Sequence, residues 1–159
     1  MRGQAATRTR ATEADTRFRV LNWIGIINQL SSTLANHMLE PLDLPLPQFT
    51  LLNHFSHRPK EGKTITGIAR AMQQLQPGIS KTVQKLIAKG YLEWRPNPED
   101  GRSKLLFLTP AGRRVHAGAV AMMGEALAGP FEDWSQSELE DLFAQLDRLK
   151  IWFDDNRPG

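Results

Sequence analysis

Apolar side chains recur at Val20, Ile24, Ile27, Leu30, Leu34 and Met38, in steps of three and four. That spacing lines one face of an α-helix. It predicts a long helix over residues 12–40, capped by Thr12 with Asp15 three positions on. Residues 1–11, rich in Arg, Thr and Ala, read as a disordered basic tail. Pro41, Pro45 and Pro47 stop the helix and give an extended link. Pro47 also suits the first turn of a second helix, where its missing N–H costs nothing. Phe49, Leu52 and Phe55 are that helix's inward residues, and His57-Arg58-Pro59 ends it.

Shorter elements follow. Thr64-Ile65 reads as a short extended piece, and Thr66 as the cap of a helix to Met72 with Ile68, Ala69 and Met72 inward. Gln73 to Gln76 form a turn, with Leu75 as its apolar anchor. Pro77 opens the next helix, whose stripe is Ile79, Val83, Leu86 and Ile87 and whose outer face is Ser80, Lys81, Gln84, Lys85 and Ala88. Gly90 supplies a left-handed cap. Tyr91–Arg95 and Lys104–Leu108 read as paired strands around a loop kept irregular by Pro96, Pro98 and Gly101. Thr109 caps and Pro110 opens another long helix, ended by Gly129-Pro130. A capping box at Ser135 and Glu138 starts the last helix, with Leu139, Leu142, Phe143, Leu146, Leu149 and Phe153 on one face.

The order describes a mainly α chain with a small β-hairpin (α+β). It is a winged helix-turn-helix between long N- and C-terminal helices. The expected division is a tail (1–11), an N-terminal dimerisation helix (12–40), the winged helix-turn-helix (41–109) and C-terminal dimerisation helices (110–159).

Composition narrows the function. The 159 residues hold 40% hydrophobic side chains and no cysteine. Disulfides and thiolate metal sites are therefore excluded. No apolar run reaches the ~18 residues a membrane span needs. The N-terminus lacks the apolar stretch of a secretory signal, so a cytoplasmic location is expected. Charge is segregated: residues 58–104 carry ten Lys/Arg against four Asp/Glu, and residues 130–159 three against eight. A concentrated basic stretch is the electrostatic footprint of a polyanion partner.

The outer face of the helix after Pro77 fits the major groove, where helix N-terminal residues reach base edges. Ser80 bonds several bases, Lys81 addresses guanine acceptors or phosphate, and Gln84 pairs with adenine. Gln76, Pro77 and Gly78 lie at the helix N-terminus, which favours a phosphate, and Lys85 shares the cationic face. Arg102 near the hairpin tip suits a narrow minor groove. Asp100 holds the loop or orients Arg102, and Arg95 and Lys104 suit phosphates. Each of these taken singly also fits a solvated surface; the basic hairpin together with the two preceding helices is the stronger signal.

Ile68-Ala69, Ile79-Ser80-Lys81-Thr82-Val83, Lys89-Gly90-Tyr91-Leu92, Asp100-Gly101-Arg102 and Leu108-Thr109-Pro110-Ala111-Gly112 together resemble the MarR family of bacterial transcription regulators. The likeness spans roughly residues 47–112 by motif. It implies a homodimer built from the terminal helices, which meets a pseudo-palindromic operator of double-stranded DNA. It also implies repression relieved by a small, often aromatic, effector. Two departures stand out. Gly101 occupies a place where the family often has a second Arg, leaving a less cationic and more mobile tip. The recognition helix opens on the unusual Gln76-Pro77-Gly78. The terminal apolar faces, with Trp23, Trp152 and Phe131 beside them, fit a twofold contact.

An effector pocket would draw on Trp23, Ile27, His37, Phe49, His54, Phe55 and Met122, residues that serve equally as core. His54 with His57, and His37 with Glu40, have helical pair spacing. No dense His/Asp/Glu cluster joins them, so no metal and no cofactor is expected. No nucleophile elbow or phosphate loop appears, so the chain does not read as an enzyme. The alternative to a DNA-binding regulator is a winged-helix protein-interaction module without DNA binding.

Overall fold

The computed structural model describes residues 3–58 and 60–157, with side chains from residue 15 onward. Six helices and one hairpin follow in order: α1 (Gly3–Leu39), α2 (Leu46–Ser56), α3 (Ile65–Met72), α4 (Gln76–Ala88), β1 (Leu92–Pro96), β2 (Lys104–Leu108), α5 (Pro110–Ala126) and α6 (Gln136–Asp155). Single 3-10 turns sit at Glu40–Leu42 and Gly129–Phe131. Two compact units divide the chain, one up to Met123 and one from Gly124. Among the described residues no helix is long and apolar enough to cross a membrane.

The core of the first unit gathers Leu39, Leu44, Leu51, Leu52, Phe55, Ile68, Ile79, Val83, Leu86, Leu92, Leu106, Leu108 and Ala119. Fully burying one Leu, Val or Phe contributes about 1.5–3 kcal/mol. The sequence stripes of α2, α3 and α4 are thus the faces that meet. β1 and β2 pair antiparallel, with Leu92 opposite Leu108 and Trp94 opposite Leu106. Lys63 adds a third rung: its N–H donates to the Leu106 carbonyl at 3.0 Å and its carbonyl accepts from Leu106 at 2.9 Å.

Two glycines fix the junctions on either side of the hairpin. Gly90 has φ +72°, the left-handed cap that ends α4. Gly112 lies so close to the chain that a Cβ there would stand 2.2 Å from the Tyr91 carbonyl oxygen. Thr109 ties the same junction, donating its hydroxyl to the Gly90 carbonyl at 2.7 Å and accepting from Gly112 N–H at 3.0 Å.

A polar clamp joins the α1–α2 link to the far end of α4. Lys89 Nζ donates to Gln48 Oε1 at 3.0 Å, and pairs with the Asp43 carboxylate at 2.9 Å and with the Asp43 carbonyl. Asp43 itself sits at φ +46°. Gln48 is buried, and the lysine satisfies its oxygen.

The structure moves three local boundaries. The N-cap of α3 is Thr64, not Thr66: its Oγ1 accepts from Gly67 N–H at 3.0 Å. α1 includes residues from Gly3, so Thr12 lies inside a helix and not at its start. Gln4, Ala5, Ala6 and Ala11 have high helix propensity, and no proline interrupts them. Leu75 does not anchor its turn. Its backbone is extended, at φ −66° and ψ 134°, which takes the side chain off the Ile79 stripe and leaves it 84% exposed.

The second unit holds α6. Its start is the expected capping box, with the Ser135 hydroxyl accepting from Glu138 N–H and the Glu138 carboxylate accepting from Ser135 N–H. The Ser135 N–H first, and then the Ser135 hydroxyl, which also donates to the Glu138 carboxylate at 2.8 Å, hold that carboxyl below its usual range. No residue of α6 is buried within the chain.

Candidate nucleic-acid interface

α3 and α4 meet across a turn, and α4 buries Ile79, Val83 and Leu86. That packing fixes which side of α4 faces outward. Lys81, Gln84 and Lys85 fall at i, i+3 and i+4 and are all exposed. Ser80 is half-buried at the margin. Among the described residues neither lysine has an ion-pair partner, so both charges face solvent. Gln76, Pro77 and Gly78 lie exposed at the leading end. Gln76 is partly engaged, since its Nε2 donates to Thr66 Oγ1 at 3.2 Å and so ties α4 to α3.

The hairpin loop is closely bonded, despite the mobility that Gly101 suggested. Asn97 N–H donates to the Ser103 carbonyl at 3.1 Å, Asn97 Nδ2 to Ser103 Oγ at 2.9 Å, and Ser103 N–H to the Asp100 carbonyl at 3.0 Å. Asp100 Oδ1 accepts from Arg102 N–H at 3.1 Å. The aspartate thus bonds the backbone of Arg102 and not its guanidinium, which remains exposed without an ion pair among the described residues. Lys104 is exposed at the start of β2.

Arg95 differs from the other cations. Its guanidinium bonds Glu93 Oε1 through Nε at 2.8 Å and Nη2 at 2.5 Å, and it lies 4.6 Å from the Phe107 ring centre. Glu93 and Arg95 are two apart on one strand and so share a face. The pair offsets the charge that the sequence pattern assigns to phosphate.

The residues expected to hold an effector are spread over several places in the structure. Trp23 and His37 are separated by about 21 Å along α1, at 1.5 Å per residue. Trp23 and Ile27 are exposed there, and His37 pairs with Glu40 at 3.6 Å. Phe55 is wholly buried in the core, and Met122 is half-buried on α5. Phe49 and His54 both belong to α2. Phe49 meets a residue that the sequence pattern does not single out, His116 of α5. Its ring stacks on Phe49 at 5.4 Å, and its Nε2 donates to Asn53 Oδ1 at 3.0 Å. Burial first, then the charge of His57, lowers the His116 pKa. His54 Nε2 accepts from Lys63 Nζ at 3.5 Å; burial, then Lys63 and His57, lowers its pKa likewise. A recess of about 260 Å³ lies elsewhere, between Asn36, Glu40, Asp43, Leu44 and Pro45. It includes none of the expected effector residues. Among the described residues no three His, Asp or Glu side chains cluster as metal ligands do.

Comparison with known proteins places this geometry. A family model described as MarR family matches residues 42–103. The multiple antibiotic resistance protein MarR of Salmonella typhimurium is 32% identical over 92 residues, covering 58% of this chain and 62% of the relative. The chain thus aligns with less than two thirds of that relative's length. Among solved structures, a MarR family transcription regulator superposes with TM-score 0.77 at 24% identity, covering 91% of this chain and 95% of the other. A mutant of E. coli MarR complexed with operator DNA gives 0.71 at 23% identity, covering 85% and 96%. These likenesses establish the fold.

Proposed function

Residues 42–103 are a MarR-family module, and from that premise we propose that the chain is a homodimeric, sequence-specific binder of double-stranded DNA. It regulates transcription, as a repressor that a small-molecule effector releases. The observation that carries this reading is the outer face of α4. Lys81, Gln84 and Lys85 are exposed there, neither lysine has an ion-pair partner among the described residues, and Arg102 is exposed on the wing. Ser80, Lys81 and Gln84 take the base edges, and Lys85, Lys104 and the α4 N-terminus at Gln76–Gly78 take phosphates. Arg102 enters the minor groove, with Asp100 shaping its loop. Arg95 contributes least, because Glu93 already neutralises it.

The homodimer is supported by the apolar faces of α1 and α6, where Trp23, Ile27, Leu30, Phe143 and Trp152 lie exposed. Exposed apolar helix faces of that kind mark interaction sites. The effector reading is supported by the stacked Phe49 and His116 rings. On this proposal residues 12–40 and 110–159 form the dimer, residues 41–109 bind DNA, and the protein works in the cytoplasm.

The test is a gel shift with the full chain on a pool of fragments from its own genome. Retention of a discrete subset at low salt, abolished by Arg102→Ala, is the expected result. No shift of any duplex at low salt contradicts the proposal.

A further inference from the structure

Leu75 breaks two local rules at once. It occupies the N-cap of α4, where a side-chain oxygen is favoured, and it offers none. It is a large apolar residue, yet it is 84% exposed and the most exposed large hydrophobic among those described. Its backbone, by contrast, is held: the Leu75 carbonyl accepts from Gly78 N–H at 3.0 Å and Ile79 N–H at 3.2 Å. A fixed backbone thus presents an apolar side chain beyond the leading end of the helix whose outer face carries Lys81 and Gln84. Positions that violate local preference without a structural gain point to function.

The neighbours share this character. Pro77 has no N–H to offer and lies exposed. A Cβ built on Gly78 would meet nothing within 4 Å, so the fold does not require a glycine there. Leu75, Pro77 and Gly78 make a small, apolar leading edge on an otherwise polar and cationic face. The apolar group that a B-form major groove presents at its base edges is the C5-methyl of thymine.

We propose that Leu75 is a specificity-determining residue that reads a thymine methyl group in the operator. The proposal deepens the DNA-binding reading and depends on it. Gln84 and Lys81 supply hydrogen bonds further along α4, and Leu75 adds contact with a base at the edge of the half-site.

The experiment begins by selecting duplexes from a random pool with the full chain. Each thymine of the selected site is then replaced, one at a time, by deoxyuridine, which removes only the methyl group. The wild-type chain loses about fourfold in affinity at one thymine per half-site, the worth of one buried methyl. Leu75→Ala binds the thymine and deoxyuridine duplexes equally, and its thermal midpoint matches the wild type because the residue is 84% exposed. A wild-type chain indifferent to every replacement overturns the proposal and leaves the regulator reading intact. So does a Leu75→Ala variant that keeps the full methyl dependence. Failure to select any duplex overturns the regulator reading, and this inference with it.

Discussion

The core of the winged module and helix α6 differ in where their apolar side chains go. Leu51, Leu52, Phe55, Ile68, Val83, Leu86 and Leu106 are closed off from water inside one unit, and no buried side-chain polar atom among the described residues lacks a partner. In α6 the apolar face is as regularly spaced, yet Leu142, Phe143, Leu146 and Phe153 remain exposed, and Leu139 and Leu149 are only half-buried. Periodicity is therefore the same signal in both, but it has two outcomes. In the module the apolar stripe is closed off from water; in α6 most of it is not. On the dimer reading a second copy covers it. The module's stability should then be intrinsic, and that of the terminal helices should depend on concentration.

The largest effect should come from the core. Phe55→Ala is expected to cost about 3–5 kcal/mol, at any protein concentration, read from the urea midpoint. A cost below about 1 kcal/mol would mean that the module is not the self-sufficient region. Next in size is the pair Trp23→Ser and Ile27→Ser, both at exposed positions of α1. It should weaken self-association by roughly 2 kcal/mol or more. Sedimentation should show the dimer giving way to monomer, with the far-ultraviolet spectrum of the module retained. Unchanged association would remove α1 from the interface.

A smaller effect isolates the cap. Ser135→Ala removes one half of the α6 capping box and should cost about 1 kcal/mol, seen as faster hydrogen exchange of the first α6 amides while α4 is unaffected. The smallest effect is a dependence on pH. His116 and His54 have pKa values lowered in the fold, by burial first. The unfolded chain therefore takes up those protons before the folded one does. Stability from these groups is complete above about pH 6.5 and declines as pH falls below it. His116→Gln should flatten that decline; an unchanged pH profile would show that the buried imidazole is not its source.

The elements of the module were legible because each periodic run is punctuated by a residue with one structural meaning. Pro47 opens α2, Pro77 lies in the first turn of α4, Gly90 closes it, and Thr109 and Gly112 pin α5 to the end of β1. What the sequence obscured was direction within short turns. Leu75 reads as the apolar anchor of its turn, but α4 begins after it and its extended backbone leaves the side chain exposed. Thr64 and Thr66 are both competent caps; only the hydrogen bond to Gly67 N–H distinguishes them. Arg95 looks free for phosphate in the sequence, although Glu93, two positions away on one strand, is the available signal for its pairing. His116 carries no local signal, because its partners, Phe49 and Asn53, belong to a helix more than sixty positions earlier.

The central claim is that the outer face of α4 meets the phosphates and base edges of duplex DNA. Its most direct test is the slope of log affinity against log salt for the wild-type chain and for Lys81→Ala with Lys85→Ala, on one selected duplex. Removing a lysine that neutralises one phosphate should lower the slope by about one. The account predicts weaker binding and a slope shallower by up to about two for the double variant. Equal slopes and equal affinities, with both proteins folded, would contradict it.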